Sequence, residues 1–505
     1  MNRKRKLILN TVSGVFRQLT VIVCGFILPR YMLQYYGSNV NGLISSISHF
    51  LNFITFLEMG VGSVVQSNLY RPLAENDCLG ISRIVVASRR FFRRIAYFFI
   101  GYILVLLVMY PLILNREYGW LYSDSLVLVI SFSLFCQYYF AITNVLLLNA
   151  DQKAYVSSLL IACTSVLNVL CSVALMKHGA SVHVVRLVSS LVFLIQPLAL
   201  EAYVRRNYTI DRHVLIQGEP IQQKWNGISQ HVASVVCENV DVVLLTLFAT
   251  LRDVSVYGVY YQIVNGVRLT FMTGAQGLES LFGNMLAKHE KEKLLRTFEG
   301  VEWITHTAIV ALFTSLAVLI VPFLRVYTQG ITDANYILPL FGLLMALAYA
   351  VLCIRTPYFR MIKAAGHYRQ TQNGAYISAG LNIAVSLLGV FQFGLIGVAI
   401  GTFVALMYHT CYFVCYLRKS ILFRKVIVFI RYLITDTLTA VTAYSICRLF
   451  ALGELNYGAF VVLALKVFFT VCSVTLAVNL LLYRKLMVQV ARVLFSRVRK
   501  KNTGL

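Results

Sequence analysis

The sequence predicts an all-α integral membrane protein with about 14 transmembrane helices, arranged as two six-helix lobes around a central cavity plus two C-terminal helices. Three observations support this fold class: the composition, the spacing of long apolar windows and an internal repeat. Of 505 residues, 59% are hydrophobic and 13% are charged, and the mean hydropathy is +0.74. Because a soluble domain carries about 25% charged residues, most of this chain is expected to lie in a bilayer.

Fourteen apolar windows are long enough to cross a hydrocarbon core, which takes about 20 helical residues. Twelve or thirteen crossings would also fit, since neighbouring windows are not sharply separated. The windows cover residues 8–32, 40–68, 95–114, 123–148, 154–176, 183–204, 227–249, 254–284, 303–324, 336–361, 371–391, 394–417, 428–450 and 457–483.

The net charge of +25 is explained by membrane topology. Of the 45 Lys and Arg residues, 35 fall on the side of the N-terminus, seven fall on the opposite side, and Arg17, Arg268 and Lys466 lie inside windows. This asymmetry predicts a multi-pass protein with both termini in the cytoplasm. Basic cytoplasmic residues are expected to contact anionic membrane lipids, and no nucleic-acid partner is expected.

An internal repeat relates the two halves of the chain. Residues 28–43 match residues 244–259 at an offset of 216, and V-x-G recurs at Val40/Gly42 and Val256/Gly258. This offset spans six helices, so both halves enter the membrane in the same orientation and form a parallel repeat. The predicted domains are an N-terminal lobe at 1–210, a C-terminal lobe at 211–420, and two further helices with a basic tail at 421–505.

The sequence argues against an enzyme. Its loops are too short for a soluble catalytic domain, and it has no G-x-x-x-x-G-K-[ST] phosphate loop. The eleven cysteines are scattered through apolar windows without a C-x-x-C pair or a histidine cluster, so no metal site is expected. We expect no catalytic residues, and transport across the bilayer is the favoured activity.

Polar stripes inside the windows provide candidate site residues. In the seventh window, His231, Ser234, Glu238 and Asp241 are spaced to share one helix face. Two charges near a membrane centre cost about 5–7 kcal/mol, whereas about ten apolar residues recover only ~3–6 kcal/mol. This face is therefore expected to point towards other helices or water.

Neighbouring windows carry matching stripes, which suggest a hydrated central cavity of mixed charge. The acidic candidates are Glu58, Glu238 and Asp241. The substrate-binding candidates are Arg17, Arg268, Asn52, His49 and Asn265.

Structural roles remain open for the same residues. Glu238 and Asp241 could pair with Arg268 or Arg17 without binding a ligand. His49 and Asn265 could form interhelical hydrogen bonds. In the last two windows, Asp436 and Lys466 could pair with each other.

Two segments resemble a known family. Residues 27–74, ILPRYMLQYYGSNVNGLISSISHFLNFITFLEMGVGSVVQSNLYRPLA, resemble the opening of bacterial oligosaccharide flippases that export polysaccharide repeat units. These flippases belong to the multidrug/oligosaccharidyl-lipid/polysaccharide exporter (MOP) superfamily. Residues 238–268 are similar to the start of that family's second lobe, where an Asn-x-Asp, here Asn239 and Asp241, precedes the apolar run. The resemblance covers most of residues 1–420.

The resemblance implies a secondary transporter of the bacterial cytoplasmic membrane that works by alternating access. It would flip a polyprenyl-pyrophosphate-linked oligosaccharide to the outer leaflet for cell-surface polysaccharide biosynthesis, with other polysaccharide-assembly proteins as partners. Arg17 and Arg268 would bind the pyrophosphate, because arginine binds phosphate bidentately. Glu58, Glu238 and Asp241 would carry a coupling proton or sodium ion, or compete for the arginines, and no other cofactor is implied.

Three alternative functions would require different sequence features. Related lipid II flippases carry an arginine in the second span, where this chain offers Asn52 and His49, which favours a repeat-unit flippase. A multidrug or cation antiporter of the same superfamily would be expected to have acidic residues without arginine in its cavity. A membrane polysaccharide polymerase or ligase would be expected to have a large external loop, which the sequence lacks.

Overall fold

The computed structural model describes residues 3–58, 61–114, 118–212, 214, 228–490 and 492. The side chains of residues 3, 4, 114, 228–234, 237 and 238 lie outside this description, although their backbone is included. Glu238, a predicted site residue, is therefore described only as a position in a helix.

The described chain is built from seventeen α-helices joined by short connections. Two short segments depart from α-helical geometry, a 3₁₀ segment at Phe53–Glu58 and a π-helical segment at Gln137–Ala141. The helices are α1 (Arg3–Asn52), α2 (Val61–Glu75), α3 (Cys78–Leu114), α4 (Trp120–Cys136), α5 (Ile142–Ala150), α6 (Ala154–Lys177), α7 (Val182–Asn207), α8 (Ile228–Phe248), α9 (Leu251–Gly274), α10 (Leu278–Ala287), α11 (Lys291–Tyr327), α12 (Pro339–Ile354), α13 (Thr356–Ala364), α14 (Tyr368–Phe393), α15 (Leu395–Ser420), α16 (Ile427–Cys447) and α17 (Tyr457–Leu482).

The predicted fold class is confirmed, and the protein is a multi-pass membrane protein. Among the described residues, eleven helical stretches are long and apolar enough to cross a bilayer, and the first of them, Arg5–Glu58, contains the first predicted window and most of the second. The seventh and eighth windows are occupied by α8 and α9. Each of the fourteen apolar windows therefore corresponds to a helical segment.

The first two windows are joined by a sharp bend inside α1. Gly37 has φ 81° and ψ 175°, a conformation that glycine adopts readily because it has no Cβ. Beside the bend, the Tyr36 hydroxyl donates a hydrogen bond of 2.6 Å to the carbonyl oxygen of Ala180, in the link between α6 and α7. The bend is thereby fixed to a second helix connection.

The chain divides into two compact units, one ending at Ser255 and the other beginning at Val256. In the first unit, α1 packs along α6, α2 packs against α3 and α5, and α4 packs against α7. The helix predicted to open the second lobe, α8, packs against α1 within this first unit. In the second unit, α11 packs against α12, α16 and α17, and α14 packs against α15.

The pair α14 and α15 makes a close helix contact through small residues. A Cβ on Gly397 would lie 2.0 Å from the carbonyl oxygen of Gly389, and a Cβ on Gly401 would lie 2.1 Å from Ser386 Oγ. Gly397 and Gly401 form the G-x-x-x-G pattern, which lets two helix backbones approach closely in membranes. The helix contact expected from that pattern is confirmed.

A second close approach joins α1 to the start of α9. A Cβ on Gly42 would lie 1.8 Å from the carbonyl oxygen of Leu251. Backbone atoms cannot swing aside as side chains do, so the helices would have to separate.

We therefore expect Gly42→Ala to lower the stability of the first unit by about 1–3 kcal/mol, the usual cost of overpacking. Gly14→Ala is the matched control, because the same helix has nothing within 4 Å of that position and alanine is the better helix former. Thermal unfolding of both variants in detergent measures the difference. Equal midpoints for Gly42→Ala and the wild type would contradict the close contact.

The N-terminal end of α1 is held by an ionic cluster around Asp151, in the turn between α5 and α6. The carboxylate accepts from Lys6 Nζ at 3.0 Å, from Lys153 Nζ at 2.8 Å and from the Tyr208 hydroxyl at 2.6 Å. Partial burial acts to raise the pKa of Asp151, but the hydrogen bonds from Lys153, Tyr208 and Lys6 outweigh it and hold the pKa below its usual 3.8. Folding therefore favours the charged carboxylate.

Asp151→Asn is expected to cost about 1–3 kcal/mol at neutral pH, the range for hydrogen bonds to a charged group. Because folding lowers the pKa, this contribution is present above the unfolded-state value of about 3.8 and is lost as the pH falls through the lower folded-state value. Unfolding midpoints measured from neutral to acidic pH should converge for the wild type and the variant. Glu75→Gln, which removes an exposed i,i+4 pair with Arg71, is the control and should have little effect at any pH. A gap between wild type and Asp151→Asn that persists at low pH would contradict the account.

Candidate functional site

Two irregular helical segments meet at Glu58 in the first unit. Glu58 ends the 3₁₀ segment that follows α1, and Tyr138 belongs to the π-helical segment between α4 and α5. The Tyr138 hydroxyl donates a hydrogen bond of 2.5 Å to Glu58 Oε1. Such departures from α-helical geometry within a helix often mark hinges or functional sites, so Glu58 combines an acidic group with a deformable backbone.

A ladder of polar contacts holds α8 and the start of α9 against the second part of α1. Ser46 lies between two hydroxyl groups, 2.7 Å from that of Tyr110 and 2.8 Å from that of Thr246. One end of the ladder is a 2.8 Å hydrogen bond from Asn41 Nδ2 to Ser255 Oγ. Hydrogen bonds between helices stabilise their association in a membrane, so this ladder fixes the position of α8.

His49 occupies the other end of this ladder. Its Nδ1 donates a hydrogen bond of 3.0 Å to Asn239 Oδ1, and Asn239 Nδ2 donates to the Val235 carbonyl within α8. Two residues further along α8, Asp241 is buried at 2% exposure. His49 thus forms the interhelical bond that the sequence left open.

Asn52 and Arg17 occupy more open positions in the first unit. Asn52 is exposed at the end of α1. Arg17 is half-buried and lies eleven residues beyond Lys6, roughly 16 Å further along the helix axis. Its Nε is buried and has no hydrogen-bond partner among the described residues. A guanidinium at this depth is costly, which makes Arg17 a strong candidate for binding an anion.

In the second unit, Asn265 and Arg268 both lie on α9. They are three residues apart and therefore share one face of the helix. Asn265 Oδ1 is buried without a hydrogen-bond partner in the described part of the chain. The Arg268 guanidinium lies 6.0 Å from the centre of the Tyr349 ring of α12. Both side chains are half-buried.

A basic pair near Arg268 is missed by the sequence analysis. Arg355 Nη1 donates a hydrogen bond of 2.6 Å to His409 Nδ1. The buried Cys353 lies within electrostatic reach of both Arg268 and Arg355. His409 Nε2 is buried and has no hydrogen-bond partner among the described residues. Since Nδ1 accepts from arginine, Nε2 carries the proton of the neutral ring and is a donor for an anion.

The sequence gives only weak signals for three residues of the site, Arg355, Tyr138 and His409. Arg355 lies at the junction of α12 and α13 and contacts α15, and no pattern in the sequence indicates this contact. Nothing in the sequence distinguishes Tyr138 from the many other aromatic residues. A histidine inside an apolar window, such as His409, was the one usable signal, because a buried polar group requires a partner.

Two polar residues of the apolar windows have partners that the sequence does not identify. Asn10 binds the turn before α6, donating to the Gln152 carbonyl and accepting from the Tyr155 amide. Asp436, for which a pair with Lys466 was left open, contacts His306, while Lys466 is exposed. Periodicity identifies a helix face but not the neighbour that it meets.

The two units can each hold an anion through cationic and N–H groups, Arg17 in the first and Arg268 with Arg355 and His409 in the second. Within the residues described, no group of three or more His, Cys, Asp or Glu side chains is placed to hold a metal ion. The chemistry of these positions is electrostatic binding.

Comparison with solved structures finds similar folds. A structure of the lipid II flippase MurJ, in an inward closed conformation, matches with a TM-score of 0.69 at 14% identity, covering 95% of this chain and 100% of that one. An inward-facing multidrug-resistance MATE transporter of the MOP superfamily matches with a TM-score of 0.58 at 14% identity, covering 82% and 97%. A MOP superfamily transporter from Pyrococcus furiosus matches with a TM-score of 0.57 at 14% identity, covering 84% and 97%.

No protein-family model and no curated protein sequence matches the chain. The chain therefore shares its fold with a flippase and with transporters of the MOP superfamily, and these neighbours are transporters rather than enzymes.

Proposed function

We propose that the protein flips a polyprenyl-pyrophosphate-linked oligosaccharide from the cytoplasmic to the outer leaflet of a bacterial plasma membrane by alternating access, with both termini cytoplasmic. The observation that carries the proposal is the presence of cationic side chains within spanning helices of both units. These are Arg17 in the first unit and Arg268 with Arg355 in the second.

The chemistry of a pyrophosphate suits these side chains. Arginine presents a planar fork of N–H donors that binds phosphate oxygens bidentately, and charge-assisted hydrogen bonds are about twice as strong as neutral ones. Placing a guanidinium inside a membrane costs several kcal/mol, and an anionic headgroup offsets part of that cost by pairing with it. The lipid tail needs no such site, because it remains soluble in the bilayer.

The fold comparison supports a flippase over a multidrug antiporter. The lipid II flippase structure covers 95% of this chain, whereas the MATE transporter covers 82%. The difference is about 13% of the chain, or roughly 65 residues, which is similar to the length of α16 and α17 with their connection. The fuller coverage by the flippase structure supports a lipid-linked substrate.

Coupling is assigned in this proposal to the acidic residues. Glu58 Oε1 accepts a hydrogen bond from the Tyr138 hydroxyl. This contact joins the 3₁₀ and π segments, which can change conformation. Asp241 is buried within α8. A proton or sodium ion bound by Glu58, Glu238 or Asp241 would neutralise the carboxylate and weaken its competition for the arginines. Other polysaccharide-assembly proteins would supply the substrate and use the product.

Arg17→Ala, Arg268→Ala and Arg355→Ala are expected to insert normally and to lower polysaccharide export about tenfold or more, because each removes charged hydrogen bonds worth about 1.5–3 kcal/mol. Export is measured as surface polymer in a deletion strain complemented by each variant, together with the lipid-linked oligosaccharide that accumulates inside. Arg71→Ala is the control, because it removes an exposed arginine paired only at the surface.

Normal export from all three variants would overturn the assignment. A deletion strain that exports normally but becomes hypersensitive to organic cations would instead support the multidrug antiporter, which the MATE neighbours keep as the second candidate.

A further inference from the structure

A polar pocket lies among α11, α16 and α17 in the second unit, apart from the substrate candidates. Its enclosed part has room for about one water molecule. The side chains around it are unusually polar for three membrane helices. The lining residues are Trp303, His306, Thr307, Val310, Tyr432, Thr435, Asp436, Thr439, Thr475, Asn479 and Tyr483.

The centre of this pocket is a histidine–aspartate pair. His306 Nδ1 donates a hydrogen bond of 2.5 Å to Asp436 Oδ2, and the two side chains are 2% and 16% exposed. The second ring nitrogen, His306 Nε2, is buried without a hydrogen-bond partner in the described part of the chain, and so is Thr475 Oγ1. Both atoms belong to residues that line the pocket.

The hydrogen bond to Asp436 fixes the tautomer of His306. Since Nδ1 carries the hydrogen that reaches the carboxylate, Nε2 of the neutral ring has a free lone pair. A buried acceptor without a partner is costly. Uptake of one proton at Nε2 converts this atom to a donor, and the adjacent carboxylate stabilises the resulting imidazolium.

The aromatic surroundings also favour a cation. The His306 ring stacks on Tyr432 at 4.8 Å, and Tyr432 stacks on Tyr483 at 5.2 Å. The Arg431 guanidinium lies 5.6 Å from the centre of the Tyr483 ring. Aromatic faces attract cations, and the Tyr432 ring presents such a face to His306.

The remaining charged groups near the pocket are already paired. Glu302, one helical turn before His306, accepts hydrogen bonds from the Tyr358 hydroxyl of α13 and from Arg424 Nη1 in the connection before α16. Arg424 also lies 3.9 Å from Glu299. Lys466 of α17 is exposed. Asp436 is therefore the carboxylate that directly contacts His306.

We propose that His306 and Asp436 form a proton-binding site, in which His306 Nε2 takes a proton from water in the pocket and Asp436 holds the imidazolium. Asp436 lies nine residues beyond Ile427, roughly 14 Å along α16 from its predicted cytoplasmic end. The proton-binding site is separate from Glu58, Glu238 and Asp241, and its existence does not depend on the substrate of the proposed flippase.

Trp303 provides a local reporter of this proton. Its Nε1 donates a hydrogen bond of 2.7 Å to Asn479 Oδ1 in the same pocket, and it lies three residues before His306, on the same helix face. Because an imidazolium quenches indole fluorescence more strongly than neutral imidazole does, protonation of His306 should dim Trp303. The chain has three tryptophans, so Trp120→Phe with Trp225→Phe leaves Trp303 as the single emitter.

The experiment is a fluorescence titration of this single-tryptophan protein in lipid nanodiscs, from about pH 8 to about pH 5, the range in which histidine changes charge. We expect emission to fall with one midpoint as the pH falls. Asp436→Asn should move that midpoint at least about one pH unit lower, because the neutral amide no longer stabilises the imidazolium. His306→Gln should abolish the titration, and His178→Gln, at an exposed position, should leave it unchanged.

Emission that does not change with pH, or that titrates equally in His306→Gln, would overturn the proposal. If His306→Gln fails to fold, Asp436→Asn decides alone, since an unshifted midpoint would also overturn it. The measurement contains no transport substrate. A negative result in this titration would therefore not contradict the flippase proposal. Equally, evidence against the flippase proposal would not contradict the proton-binding site.

Discussion

The structure depends on one constraint, that a polar side chain buried among membrane helices is costly unless it finds a hydrogen-bond partner. The pairs His49–Asn239, Glu58–Tyr138 and His306–Asp436 each meet this requirement. Each joins helices that are distant in sequence, so the pairs also determine which helices are neighbours. Apolar packing alone would specify these neighbours poorly, because lipid tails are as apolar as leucine.

The same constraint explains the irregular backbone. The 3₁₀ segment ending at Glu58 and the π segment containing Tyr138 interrupt regular helices, and they meet through a side-chain hydrogen bond. The ladder from Asn41 to His49 works alongside the close approach of Gly42 to Leu251. The regular helix packing around this ladder gives a rigid contact, whereas the 3₁₀ and π segments provide places where helices can bend. The proposed transport by alternating access requires both.

Much of the fold is predictable from the sequence, because bilayer thickness dictates the length of apolar windows and charge asymmetry dictates topology. The depth of Arg17 and the shared face of Asn265 and Arg268 follow from helical periodicity. Specific partners do not, because periodicity leaves the rotation and neighbours of each helix undetermined. The pair of Asp436 with Lys466 was left open, and Asp436 contacts His306; the contact of Arg355 with His409 has no signal in the sequence.

The central claim is that cations inside the spanning helices bind an anionic lipid headgroup. The most direct measurement compares the affinity of the purified protein for a polyprenyl pyrophosphate and for the matching polyprenyl alcohol, by native mass spectrometry. The account predicts that the pyrophosphate binds at least about tenfold more tightly, a difference of about 1.4 kcal/mol or more. Equal affinity for the two lipids would show that the arginines do not recognise the headgroup, and would contradict the account.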